Sequence, residues 1–317
     1  MKKLFFLAAA ATIALSSCVK NDTVYTDAQT PMEFKAFNVA STKAPISGTT
    51  FTQNISVFAV YNNSGKAYFP ETTFAKNDAG VWSGNPARYW PTTGKMDFAA
   101  YSPANAGNAT ATYAEGGSIS NISVVCPDNN DADQKDILFG DLLDDVTCPQ
   151  PAPVAMQFHH ALAQIVLKVK QGVAAGDATY QITVKKVTLN DLVLGGTLDI
   201  TPDATKSTID WSSKNPVVEY EVDATSHTLT TDYTALKGVL VVPHAQSSVT
   251  IVYDITIGDN TNEVEQTVDL VDANIDEGKW LAGKKYTYNL NIDLKEIEFK
   301  PTVEDWVLAD AKDITIE

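Results

Sequence analysis

Apolar side chains recur at every second position over long stretches of this chain, and that period decides most of what it can fold into. Tyr286, Tyr288, Leu290, Ile292 and Leu294 share one parity, with Thr287, Asn289, Asn291 and Asp293 between them. Val249, Ile251, Tyr253, Ile255 and Ile257 alternate with Thr250, Asp254 and Thr256. Ile55, Val57 and Ala59, then Ile165, Leu167 and Val169, then Tyr180, Ile182 and Val184 repeat the pattern. Successive side chains of a strand point to opposite faces, so a period of two rich in β-branched and aromatic residues describes half-buried strands. Turn chemistry separates the runs: Asn62-Asn63-Ser64-Gly65, Thr92-Thr93-Gly94, Gly195-Gly196, and Gly258-Asp259-Asn260, the last predicting a hairpin. Helical period is nearly absent after residue 18. Lys135 to Asp145 is expected to hold one short helical turn, and the Ala-, Asn-, Gly-, Ser- and Thr-rich residues 102–121 to form a loop excursion. The class is all-β, built as antiparallel sandwiches.

A chain of 317 residues is long for one sandwich and ordinary for two domains. Cys148-Pro149-Gln150-Pro151-Ala152-Pro153 is a stiff connection, because proline donates nothing to a ladder. It places a domain boundary near residue 153. The expected organisation is a signal segment over 1–17, an N-terminal segment over 18–50 that includes a first strand, and sandwich domains over 51–153 and 154–317.

Lys2 and Lys3 precede a 12-residue apolar run, Leu4 to Leu15. Spanning a bilayer takes about 20 residues, so the run reads as a signal peptide. It ends Leu15-Ser16-Ser17-Cys18, the aliphatic–small–small–cysteine pattern of a lipoprotein signal. The Cys18 thiol is the expected lipidation site. Several acyl chains, at about 0.8 kcal/mol per buried methylene, hold a protein on a membrane where one chain does not.

The formal charge of −16 and a single arginine, Arg88, exclude a nucleic-acid binder and electrostatic adhesion to anionic lipid. Catalytic signatures are missing: there is no nucleophile elbow, no phosphate-binding glycine loop and no metalloprotease helix. His159 and His160 are adjacent, point to opposite faces of a strand, and read with His227 and His244 as structural histidines. Asp128-Asn129-Asn130-Asp131-Ala132-Asp133 offers oxygens of the kind calcium takes, but lacks the glycine and terminal glutamate of an EF-hand loop and reads as a solvated loop. No enzyme, cofactor or metal centre is expected. Cys126 and Cys148 either pair, closing a loop of about 20 residues worth roughly 3 kcal/mol, or stand as two independent buried thiols.

Several segments, in order along nearly the whole chain, carry a resemblance. They are the signal ending at Cys18, Thr42-Lys43-Ala44 ahead of the Ile55 strand, Tyr89-Trp90-Pro91, and Met96-Asp97-Phe98-Ala99-Ala100-Tyr101-Ser102-Pro103. Asp136-Ile137-Leu138-Phe139-Gly140, Phe158-His159-His160-Ala161-Leu162-Ala163, the run Trp280 to Tyr288, Ile297-Glu298-Phe299 and Asp305-Trp306 follow. Together they resemble the fimbrillins of Bacteroidales type V pili. The resemblance implies two β-sandwich domains, the first transthyretin-like, and export to the outer membrane as a lipoprotein. It implies that a surface protease cuts after a basic residue and removes the first strand, so that a strand from another subunit fills the groove. Other fimbrial subunits and the outer membrane are then the partners. Processing in the best-known members is arginine-specific, whereas here Lys43, with Lys35 as competitor, stands where a cut is useful. Asp313-Ile314-Thr315-Ile316-Glu317 puts Ile314 and Ile316 on one face, which fits either a donor strand or an internal edge strand that completes the second domain. The alternative is a monomeric surface lipoprotein that binds glycan or host protein, with Trp82 or Trp90 as an exposed platform.

Overall fold

The computed structural model describes residues 30–38, 52–130, 134–172, 179–223, 225–293 and 297–306. These form strands and one 3-10 turn, Asp276–Gly278. No helix among them is long and apolar enough to cross a membrane. In chain order the strands are β1 Glu33–Asn38, β2 Ile55–Tyr61, β3 Ala67–Lys76, β4 Trp82–Asn85, β5 Lys95–Ser102, β6 Asn108–Tyr113, β7 Ile119–Cys126 and β8 Leu138–Gly140. Then come β9 Leu143–Thr147, β10 Val154–His160, β11 Ala163–Gln171, β12 Gln181–Leu192, β13 Gly196–Thr201, β14 Thr208–Ser212, β15 Val218–Asp223 and β16 His227–Thr228. The last are β17 Thr234–Ala235, β18 Val239–Val241, β19 His244–Ala245, β20 Ser248–Ile257, β21 Asn260–Asp269, β22 Lys279–Trp280, β23 Lys284–Ile292 and β24 Ile297–Asp305.

Alternation and burial agree where the sequence is most regular. In β11 the residues from Ala163 to Val169 alternate between buried and half-buried positions, and β23 buries Tyr286, Tyr288, Leu290 and Ile292. In β20 the buried face fades beyond Tyr253, and Ile257 is 49% exposed at the hairpin end. Gly258 and Asp259 join β20 to β21, with Ile257 opposite Asn260, as the turn residues predict. Asn62 and Asn63 both take left-handed backbone (φ 47° and 49°), the geometry of a tight turn from β2 toward β3. β12 changes its buried parity from Ile182 and Val184 to Val187 and Leu189, and its register with β20 shifts between Val184 and Lys186. One extra residue there turns the core-facing set over, which is what a bulge does.

Two expectations fail. Residues 102–121 are not a loop excursion: they carry β6 and the start of β7, paired from Asn108↔Val125 to Tyr113↔Ile119. Threonine and alanine at alternate positions suffice when one face is covered. Lys135 to Asp145 holds no helical turn; β8 pairs with β10 and β5, and β9 with β5. Both strands are too short for a period to show.

Eight strands form the largest sheet, in the order β2-β3-β4-β1-β10-β8-β5-β9, with β2 also pairing β5. One of its faces packs Met32, Phe34, Ile55, Phe74, Trp82, Phe98 and Phe158 into a single apolar cluster. Its other face contributes Phe58, Val60, Ala99 and Tyr101 to a second cluster, shared with Ile122, Val124, Leu198, Ile200 and Trp211 of the sheet β14-β13-β7-β6. β2 and β5 are therefore covered on both sides, which hides the alternation of β5. A third cluster joins β11 and β23 to the inward residues of β12 and β20. Sheet pairing crosses residue 153, since β10 lies beside β1 and β13 beside β7.

Candidate functional site

The first described strand is not an edge. β1 runs parallel to β10, from Phe34↔Val154 to Asn38↔Phe158, and antiparallel to β4 at Glu33↔Ser83 and Phe34↔Trp82. The chain before it is stitched down as well: the Met32 N–H donates to Arg88 O (2.7 Å) and the Trp90 N–H to Thr30 O (2.9 Å). Met32, Phe34 and Ala36 alternate inward and are each at most 1% exposed, while Lys35 between them is exposed. Phe34 meets the rings of Phe74 and Phe98 edge-on, at 5.1 and 5.2 Å between centroids. β1 thus fills a slot with two hydrogen-bonding walls, β4 and β10, and an aromatic floor.

Withdrawing this strand would strip ladder partners from both walls and expose the pocket of Phe34, Met32 and Ala36. An open edge with an apolar groove is the surface that another extended segment completes.

A second feature lies where β10 ends. His159 Nε2 faces both carboxylate oxygens of Asp141 (3.0 and 2.9 Å), and Asp141 Oδ1 accepts the Ser207 N–H (2.9 Å). His160 Nδ1 pairs with Asp136 Oδ2 at 2.6 Å, and its ring stacks on Trp306 at 3.9 Å. A cleft of about 590 Å³ lies here, lined by Phe139, His159, Thr205, Lys284 and Trp306 among others. The two histidines have different carboxylate partners, so they do not converge on one ion. They close strand β10.

The residues singled out from sequence fall in different places. Cys18, Lys43, Ile314 and Ile316 lie outside the described residues, as do Asp131 to Asp133. Lys35 sits inside β1. Cys126 and Cys148 are both free and buried, in different apolar clusters, so the pairing is not formed. Burial pushes the Cys126 thiol up to about 12 and the Cys148 thiol up to about 11. Trp82 and Trp90 are no exposed platform: they are 1% and 5% exposed, and the Trp82 indole N–H donates to Gln53 O at 2.8 Å. Sequence reading missed the central position of β1, because nothing local says that a strand will find β10 more than a hundred residues away.

The Fimbrillin-like family model matches residues 21–306. Solved structures share the fold. A fimbrial protein from Bacteroides vulgatus superposes with a TM-score of 0.61 at 17% identity, over 87% of this chain and 99% of the other. A candidate cell adhesion protein from Bacteroides uniformis gives 0.54 at 17% identity, over 89% and 99%. Another from Parabacteroides distasonis gives 0.51 at 9%, over 88% and 97%. No curated protein matches the chain.

Proposed function

The chain belongs to the fimbrillin-like family, with the cell-surface, fimbrial or adhesive role that membership carries, and from that premise we propose that it is a pilus subunit assembled by strand exchange in the slot that β1 occupies. The observation that carries this reading is the placement of β1: a segment near the chain start, paired on both sides, whose apolar residues reach the core of its sheet. The clusters shared by facing sheets fit a sandwich architecture, one of them built from strands on both sides of residue 153.

The proposed sequence of events begins with a lipoprotein anchored through Cys18. Cleavage after Lys43 releases β1 whole. Lys35 is the poorer cut, because it lies within the paired strand and would leave Ala36 to Asn38 beside β10. The vacated slot then receives a donor strand from the next subunit, for which the segment bearing Ile314 and Ile316 has the right alternation. Backbone pairing on both sides, with apolar side chains in the Phe34 pocket, makes such a joint slow to dissociate.

Gels of unheated surface extract test the reading. A ladder of multimers that resists sodium dodecyl sulfate and collapses on boiling is expected. A single monomer band instead supports the monomeric lipoprotein that binds glycan or host protein, with the cleft beside Trp306 replacing the buried tryptophans as its site.

A further inference from the structure

Strand β5 carries a carboxylate at a position its neighbours reserve for the core. Asp97 stands between buried Met96 and Phe98 and is itself 1% exposed. Its Oδ1 accepts the Asp145 N–H at 2.8 Å, but its Oδ2 has no hydrogen-bond partner. A buried carboxylate with a bare oxygen is costly unless a charge or a metal meets it.

The pairing opposite explains how more acid arrives. Met96 faces Val146 and Phe98 faces Leu143, so the register slips and both Asp144 and Asp145 stand across from Asp97. This bulge, in which Asp145 takes a left-handed backbone (φ 55°), gathers carboxylate oxygens of Asp97, Asp144 and Asp145 within 4.8 Å of one another. Lys95 Nζ reaches Asp145 Oδ2 at 2.5 Å. One ammonium against three carboxylates leaves two negative charges.

We propose that Asp97, Asp144 and Asp145 form a binding site for a divalent cation of the calcium class, which ties the edge strand β9 to β5. Calcium takes oxygens at 2.3–2.6 Å, so ligands on opposite sides of the ion stand about 5 Å apart, as this spacing allows. Three carboxylates can supply most of its six to eight oxygens, and waters complete the shell at the exposed Asp144 and Asp145. The ion supplies the partner that Asp97 Oδ2 lacks and balances the two residual charges. The competing arrangement is a proton shared between Asp97 and Asp144.

Thermal melting of the full chain after chelator treatment, at pH 7.5, separates the two. Calcium chloride at 10 mM raises the melting temperature by about 2–5 °C over sodium chloride of equal ionic strength, given the roughly millimolar affinity of extracellular calcium modules. Calorimetric titration with calcium gives one site per chain. Asp97→Asn keeps an oxygen for the Asp145 N–H and loses the calcium response; Asp144→Asn, at an exposed position, weakens it and serves if Asp97→Asn does not fold. A wild-type melt indifferent to calcium overturns the proposal in favour of the shared proton. So does a calcium response of wild-type size in both variants.

Discussion

Phe34 is the residue on which the N-terminal slot turns. It is fully buried and held by Phe74 and Phe98, so truncation removes both its transfer energy and its ring contacts. Phe34→Ala should lower unfolding stability by about 3–5 kcal/mol, whereas Lys35→Ala, one position along on the exposed side, should change it by less than about 0.5 kcal/mol. Urea titration of the two variants measures the contrast. The buried phenols and thiols set a second residue-level expectation. Burial raises Tyr101, Tyr286 and Tyr288, the last to about 12, from an ordinary 10.0, and raises Cys126 and Cys148 from 9.0. The folded chain keeps protons that the unfolded chain releases, so this stabilisation is complete below about pH 9 and is lost as pH rises through the window up to about 12. A urea midpoint clearly lower at pH 10.5 than at pH 7.5 is expected; equal midpoints would mean that these groups ionise freely when folded.

At the scale of elements, β1 and the segment after Trp306 are the two pieces to which strand exchange is proposed to give tasks. Deleting residues 307–317 should leave a folded monomer that builds no filaments. Lys43→Ala should retain β1 and block acceptance of a donor. Negative-stain microscopy of cells carrying each change reads both; normal filaments from the deletion end the donor assignment, and normal filaments from Lys43→Ala move the cut elsewhere. The sequence showed its strands where one face met water. In β11, β20 and β23 the alternation of Ile165, Ile251 or Tyr286 with polar neighbours was there to read. It hid β5, whose Met96 to Ser102 are buried on both faces, and β8 and β9, which are too short to repeat. The bulge that brings Asp144 and Asp145 opposite Asp97 was invisible for another reason: it exists only in the pairing of two strands. The same holds for Trp82, which a single chain cannot distinguish from a surface ring until Gln53 accepts its N–H.

For the whole molecule, family membership and the doubly paired β1 point the same way. The protein is a sheet-built member of the fimbrillin-like family whose first described strand is paired on both sides, and on the proposed reading its slot accepts a strand from another subunit. Anchoring belongs to this scale too. Cys18→Ser should abolish palmitate incorporation and remove the protein from the outer membrane, and equal labelling of wild type and variant would remove the lipoprotein step. The measurement that bears most directly on strand exchange is the N-terminal sequence of the protein recovered from filaments on cells. A start at Ala44, or anywhere beyond Asn38, shows that β1 has left its slot in the polymer. An N-terminus still blocked at Cys18, with β1 retained in filaments, would contradict it.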